Sequence, residues 1–423
     1  MQRREIKMNY LEELGVECIY LNPIFKAEYN HKYATIDYFQ IDPMFGDNEL
    51  FRELVKTVHQ KGIKIILDGV FNHSGIAFPA FQDVLKNQEK SKFRDWFLIN
   101  RFPVEISSEC YECVGAYPYM PKLNTAHPEV RAFILQVMEY WIQEYKIDGW
   151  RLDVADEVDE SVWLKARILL KQKYPQTLLL GETWGSGLQL MNGLEMDSIM
   201  NYTFRDAIRD FIAFARIDAL TFHQRMQAML AKYPDEMNLA MYLVLDSHDT
   251  ERFLFDCQED KRKLKLAMII QMTFPGAPAI YYGDEIGLSG ENDPDCRRCM
   301  VWQEGEQDHQ LLQQYQAMIQ LRKQEDCLRK GELTANYVKA GGYGYIRHQS
   351  EDAVYTIVNA GDTELEIELP VLKKGWYQDF LSGAQYASEE LSESAINQDI
   401  CDYQASLKLK LPAWEAKVLK IRA

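Results

Sequence analysis

The chain has no run of about 18 consecutive apolar residues, the length a membrane-spanning helix requires, and its first residues, MQRREIKMNY, are charged where a secretory leader would be apolar. Neither a membrane protein nor an exported one is expected, and the reading is cytoplasmic. Positive charge is also scarce: 47 basic against 64 acidic residues leave a net charge of −17. Such a surface repels phosphate backbones and anionic lipid, which excludes nucleic acid and membranes as partners. Cysteine is sparse as well, with eight in 423 residues, too few for a disulfide scaffold. Two CxxC pairs, Cys110/Cys113 and Cys296/Cys299, lie far apart along the chain. They read as reduced structural thiols, because zinc would need the fold to join them.

What is present is a globular composition, 47% hydrophobic and 26% charged, in a 49.4 kDa chain. That length suits a barrel of about 250 residues with additions. Apolar runs of strand length recur at 18–25, 64–71, 148–154, 177–184, 197–204, 239–249 and 277–286, and near-continuous apolar strands imply burial on both faces. Amphipathic segments separate them. In PEVRAFILQVMEYWIQEYKID, Val130, Phe133, Ile134, Val137, Trp141, Ile142 and Tyr145 recur at helical steps, Pro128 sits in the first turn, and Asp148-Gly149 ends the unit.

Strand and helix alternation predicts an α/β fold, either a barrel or a doubly wound sheet. Polar residues stand at most strand ends: Asn22; Asp68 with Asn72 and His73; Arg151 with Asp153; Glu182; His248 with Asp249. A barrel gathers all those ends on one face, so the expectation is a TIM (β/α)8-type barrel at 1–73 and 125–330. The chain opens on a helix-like segment, EIKMNYLEELG, so the first barrel strand is expected to be missing, with apolar edges open on the strands at 18–25 and 277–286. The aromatic and proline-rich stretch 74–124 is too long for a simple loop and reads as a small inserted domain. Short alternating segments from 331 to 423 predict a C-terminal antiparallel β domain.

Three strand-end carboxylates, Asp153, Glu182 and Asp249, suggest glycoside hydrolysis, which needs an ionised and a protonated carboxyl flanking the scissile bond, about 5–5.5 Å apart when configuration is retained. Any one of them alone would be an ordinary salt-bridge partner or helix cap; the combination with Arg151, His73 and His248 is what argues for a site.

LDGVFNH (67–73), GWRLDVADEV (149–158), GETW (181–184) and SHD (247–249), in that order, resemble the four signature regions of the α-amylase family of glycoside hydrolases. GVECIYLNPIF (15–25) and GAPAIYYGDEIG (276–287) resemble its second and eighth strands, so the likeness spans essentially the whole chain. MPKLN (120–124) resembles the marker of the neopullulanase, cyclomaltodextrinase and maltogenic amylase group. The resemblance implies that Asp153 is the nucleophile, Glu182 the general acid/base and Asp249 the transition-state stabiliser. By the same likeness Arg151 keeps Asp153 ionised, His73 and His248 grip the sugar at the cleavage point, and Tyr33 stacks on it. Trp184 becomes a platform on the leaving-group side, and Asp293 with Arg297 bind glucose units further along.

Three departures stand out. The group normally begins with an N-terminal β domain and the first barrel strand; Asp156 replaces a usual Asn; Ser247 stands where many relatives have Asn. The implied activity is retaining hydrolysis of α-1,4 and some α-1,6 bonds in maltooligosaccharides, cyclodextrins or pullulan, with some glycosyl transfer. No cofactor is required, calcium is compatible, and the partner is the glucan, with a homo-oligomer allowed. The alternative is a truncated or inactive amylase-like carbohydrate-binding protein; the three kept carboxylates argue against an inactive relative, while truncation would explain the missing strand.

Overall fold

A computed structural model describes residues 2–391 and 403–421, which fall into two compact units, Met1–Met200 and Asn201–Ala423. The first unit opens on helix α1 (Gln2–Leu14) and is built on five parallel strands: β1 (Cys18–Leu21), β2 (Lys64–Gly69), β3 (Gly149–Leu152), β4 (Leu178–Gly181) and β5 (Ser198–Ile199). They neighbour one another in chain order, β1-β2-β3-β4-β5. A doubly wound sheet reverses its order at a switch point, whereas a barrel adds each strand beside the last. The order therefore decides between the two expected arrangements in favour of the barrel type.

Helices α2 (Asn48–Gln60), α3 (Pro128–Tyr145) and α4 (Glu160–Lys173) precede β2, β3 and β4. Most of the stripe expected in α3 is buried, with Val130, Ile134, Val137, Trp141, Ile142 and Tyr145 in the core and Phe133 half-buried. Its end differs from expectation: Lys146, in the left-handed region at φ 61°, stops the helix before Asp148. Asp148 instead accepts the Ile65 N–H at 2.9 Å and stands 2.8 Å from the His59 ring. Strand β3 is fully buried, and Trp141, Trp150 and Trp163 are among the largest fully enclosed side chains.

The stretch 74–124 holds a helix, Pro79–Asn87, and a hairpin of Cys113–Val114 with Tyr117–Pro121. Buried Phe81 packs edge-on against Phe97 and Tyr111, with ring centroids 4.8 and 4.9 Å apart. Cys110 and Cys113 are buried thiols here that donate to the carbonyls of Pro103 and Gly115.

In the second unit, β6 (Tyr242–Leu243), helix α5 (Lys261–Thr273) and β7 (Ala277–Pro278) form one more parallel pair with its crossover. Three strands are much shorter than their apolar runs. In DSIMNYTF the strand stops at Ile199, because the Asn201 side chain accepts the Phe204 N–H and caps a helix at Tyr202–Ile208. The run at 239–249 is partly the helix Asp235–Ala240, and the run at 277–286 ends in a 3₁₀ turn at Asp284–Ile286. At 197–204 hydrophobicity marked burial, not extension, whereas residues 277–282 are half-buried or exposed.

From Glu332 the chain is antiparallel. Strands β8 (Glu332–Lys339), β9 (Gly342–Gln349), β10 (Asp352–Asn359), β12 (Trp376–Asp379), β13 (Gln385–Ala387) and β15 (Glu415–Ile421) form a six-stranded sheet ordered β8-β9-β10-β15-β12-β13. Strands β11 (Leu365–Val371) and β14 (Ala405–Leu411) form a two-stranded sheet, and Leu369, Leu407 and Leu409 from it share a core with Ile346, Tyr355 and Leu419 from the larger one. Residues 392–402 of the expected β domain lie outside the described residues.

At Gly149 a Cβ would lie 2.4 Å from the Leu178 carbonyl oxygen, across the β3–β4 pair that carries Arg151. Gly149→Ala is expected to cost at least about 1–3 kcal/mol, the usual range for overpacking, and to lower the thermal midpoint in a calorimetric melt. An unchanged midpoint would show that the strands can part there.

Candidate active site

Parallel pairing sets Asp68 of β2 opposite Arg151 of β3. Beyond the strand ends, the Asp153 N–H donates to the Gly69 carbonyl and the Glu182 N–H to the Leu152 carbonyl, so both carboxylates stand one step past the sheet on ordered backbone. Arg151 is completely buried and touches three carboxylates. Its Nη1 donates to both oxygens of Asp68 at 3.1 and 3.0 Å and to Asp153 Oδ1 at 2.8 Å, while Nη2 lies 2.7 Å from Glu182 Oε1. That last contact is an ion pair whose N–H is out of line for a hydrogen bond.

Val154, directly after Asp153, is held at φ 44°, ψ 50°. A β-branched residue in the left-handed region is strained, by about 1–3 kcal/mol. The turn aims its N–H at Glu182 Oε2, 2.9 Å away. Asp68 is fixed from the other side by hydroxyl donors, Tyr20 at 2.5 Å and Tyr33 at 3.3 Å.

Three buried acids around one guanidinium would carry a net charge of −2 if all were ionised. Burial is the largest influence on Asp153, and with Asp68 and Glu182 nearby it pushes the carboxyl well above the ordinary range despite Arg151. Asp68 is also raised, again by burial first. Arg151 acts on Asp153 in the direction the sequence reading expects, lowering its pKa, while burial and the neighbouring acids act the other way.

His73 is buried with neither ring nitrogen hydrogen-bonded among the described residues. Burial drives its pKa down to about 3, so it is a neutral imidazole with unused polar atoms. Trp184 follows the acid pair with 54% of its surface exposed. Asp156, the departure from Asn, accepts the Thr183 hydroxyl at 2.8 Å.

The second unit brings together the remaining residues singled out in the sequence. His248 Nε2 is 3.1 Å from Asp249 Oδ2, and Arg297 Nη2 is 3.6 Å from Asp249 Oδ1. Arg297 Nε is 3.0 Å from Asp293 and donates to the His248 carbonyl at 2.9 Å. The Ser247 hydroxyl accepts the Asp249 N–H at 3.2 Å.

Two participants in the first unit escaped the sequence reading. Asp68 was noted at its strand end without a role, and Tyr20 was taken for an ordinary strand residue. Parallel register, β1 beside β2 beside β3, is the signal that would have found both. Among the described residues one group has metal-ligand chemistry, Glu325, Cys327 and Asp352. The Lys420 ammonium is already paired with Glu325 and lies 3.7 Å from Asp352, so one of the two carboxylate charges is already balanced.

Residues 5–331 match the α-amylase catalytic domain family. The chain is 44% identical over 386 residues to a cyclomaltodextrinase of Geobacillus thermopakistaniensis (strain MAS1), covering 90% of this chain and 66% of that protein. It is 44% identical over 366 residues to an intracellular maltogenic amylase of Bacillus subtilis (strain 168), covering 86% and 62%. A solved cyclomaltodextrinase structure superposes with a TM-score of 0.90 at 40% identity, covering 98% of this chain and 70% of that one. The chain thus spans about two thirds of the length of the curated relatives it matches. The fold class is that of the α-amylase catalytic domain, a TIM barrel with a C-terminal β domain.

The Asp153 carboxyl is expected to titrate above the ordinary carboxylate range of about 3.9 when followed by carbon-13 NMR. In Arg151→Lys, which loses the planar fork, its transition is expected to move further up. Titration at the ordinary value in both proteins would contradict the dominance of burial.

Proposed function

This chain belongs to the α-amylase family of glycoside hydrolases, and from that premise we propose that it is a retaining α-glucan hydrolase working through Asp153 and Glu182. The observation that carries the reading is the single buried guanidinium of Arg151 in contact with Asp68, Asp153 and Glu182. Two carboxyls spanned by one guanidinium favour the short spacing of retention, about 5–5.5 Å, over the 6.5–9.5 Å or so that inversion needs for its water.

In the proposed reaction Glu182 gives its proton to the glycosidic oxygen as Asp153 attacks the anomeric carbon. The leaving chain departs with that proton, and a glycosyl ester forms on Asp153. Glu182, now ionised, takes a proton from water, whose oxygen attacks the same carbon and releases Asp153. Arg151 holds both carboxyls through both steps, and the Val154 N–H stabilises Glu182 when it is charged. His73 offers its unused ring nitrogens to sugar hydroxyls. Tyr33, its hydroxyl engaged by Asp68, presents a ring to the sugar, and exposed Trp184 receives the leaving side. Asp249, His248, Asp293 and Arg297 are assigned to further sugar hydroxyls.

The substrate reading is short or cyclic α-1,4-glucans with some α-1,6 cleavage and glycosyl transfer, supported by MPKLN at 120–124 and by relatives named cyclomaltodextrinase. The stretch 74–124, with its own aromatic packing, is read as an inserted domain between barrel portions 1–73 and 125–330, with 331–423 as the β domain. A cytoplasmic setting accords with the relative named intracellular. No step is routed through a cofactor.

Asp153→Asn and Glu182→Gln are each expected to lower kcat for reducing-sugar release from cyclodextrin by several orders of magnitude, with melting temperatures near the parent's. Retention by both variants of more than about a tenth of the rate, a barrier change of only ~1.4 kcal/mol, would remove these residues from the chemistry. A parent chain that binds cyclodextrin without cleaving it would instead favour a binding protein.

A further inference from the structure

A second buried acid cluster lies in the loops of the second unit, apart from the residues assigned to sugar. Asp246 and Asp284 are both in the core, at 4% and 5% exposure, and their carboxyls are within hydrogen-bonding reach of each other. Two carboxylates cannot hydrogen-bond, since both are acceptors; one must keep a proton. The remaining contacts say which atoms are involved. Asp246 Oδ2 accepts the Phe253 N–H at 2.7 Å, whereas Asp246 Oδ1 is buried with no donor among the described residues. Asp284 Oδ1 accepts from Arg252 Nη1 at 3.0 Å, and the Asp284 carboxyl, when protonated, is a neighbouring group that can donate to Asp246.

Arg252 connects this pair to the rest of the site. Its Nη1 also donates to the Tyr282 carbonyl at 2.9 Å, and its Nε donates to the Cys296 carbonyl at 3.0 Å. The guanidinium stacks over Tyr281, 4.2 Å from the ring centroid. The thiol of Cys296 and Nε of Arg297 both donate to the His248 carbonyl. The Asp246–Phe253 contact closes the loop that contains Ser247, His248 and Asp249. Three segments, 246–253, 281–284 and 296–297, are thus fastened through one arginine and one carboxyl pair.

We propose that Asp284 is a neutral carboxylic acid whose proton is shared with Asp246, and that this pair, bridged by Arg252, is the positioning element for His248 and Asp249. Neither acid touches the sugar. The charged or titratable groups around them are Arg252 and Arg205 on the cationic side and Glu285, Tyr315, Tyr281 and Cys257 on the other. One full guanidinium contact serves two acids, since Arg205 donates through Nε to the Leu245 carbonyl instead. Burial and the proximity of Asp246 push Asp284 well above the ordinary carboxylate range, and Asp246 is raised as well.

The proton gives a pH signature. A carboxyl raised in the folded state contributes stability that is full at low pH, where both folded and unfolded forms are protonated. That contribution is lost as pH rises from the unfolded value, about 3.9, through the folded one. Asp284→Asn keeps a donor toward Asp246 and an acceptor for Arg252 but has no proton to lose.

The test is thermal melting of the full chain from pH 5 to pH 9, with kinetics on cyclodextrin beside it. Asp284→Asn is expected to gain on the parent in melting temperature as pH rises, and to keep kcat and KM within about twofold at neutral pH. Asp284→Ala is expected to melt lower at every pH and to lose at least about tenfold in kcat/KM, recovered by the Asn variant. A melting difference between Asn and parent that is flat with pH would overturn the shared proton. Parent-like kcat and KM in a folded Asp284→Ala would overturn the positioning role. The kinetic arm rests on the proposed hydrolase reading and the melting arm does not, so an inactive parent chain leaves the pH-dependent melt to decide.

Discussion

Burying a guanidinium among more acids than it can neutralise is the constraint on which the first unit is organised. Arg151 is completely enclosed, and a charge so placed is tolerated only when paired and hydrogen-bonded. Its partners come from β2, from the turn after β3 and from the turn after β4, so parallel strands in chain order are the means of bringing them together. The strain at Val154 follows from the same demand, since the backbone must turn abruptly after Asp153 for its N–H to reach Glu182. An excess of acid over base around Arg151 also makes a retained proton an outcome of the geometry. A double displacement needs two carboxyls held side by side, and the Arg151 contacts to Asp153 and Glu182 hold them so.

The second unit contains a related arrangement with a different consequence. Arg252 faces Asp246 and Asp284 in the core, but it also holds backbone carbonyls, those of Tyr282 and Cys296. Arg151 holds side chains that are proposed to react; Arg252 holds the chain that carries His248 and Asp249. In both cases the desolvation of the acids is what makes the arrangement sensitive to protonation, and in both the arginine's planar fork, not its charge alone, fixes the distances.

Much of this was legible in the sequence, for reasons that differ from residue to residue. Asp153, Glu182, His73 and Arg151 were readable because each stands at or just past a strand end, where a parallel sheet presents side chains to one face. His248 with Asp249, and Asp293 with Arg297, were read as two separate pairs, and the structure brings the four together through Arg297. Asp68 and Tyr20 were not given roles, because their importance lies in register across strands, which one sequence does not display. The strand lengths at 197–204, 239–249 and 277–286 were overread, since a buried helix start capped by Asn201 is as apolar as a strand. The cation beside Asp153 is visible in GWRLD, whereas its depth of burial and the two further carboxyls around it are properties of the fold.

The central claim is that Asp153 forms a covalent bond to the sugar. Incubation of the full chain with an activated 2-fluoro-α-glucosyl fluoride, which slows breakdown of the intermediate more than its formation, followed by digestion and mass spectrometry, tests it most directly. The account expects one fluoroglucosyl unit on the peptide containing Asp153, and none in Asp153→Asn. A label on another carboxylate, or turnover of a cleavable glucan to the inverted anomer with no label at all, would contradict it.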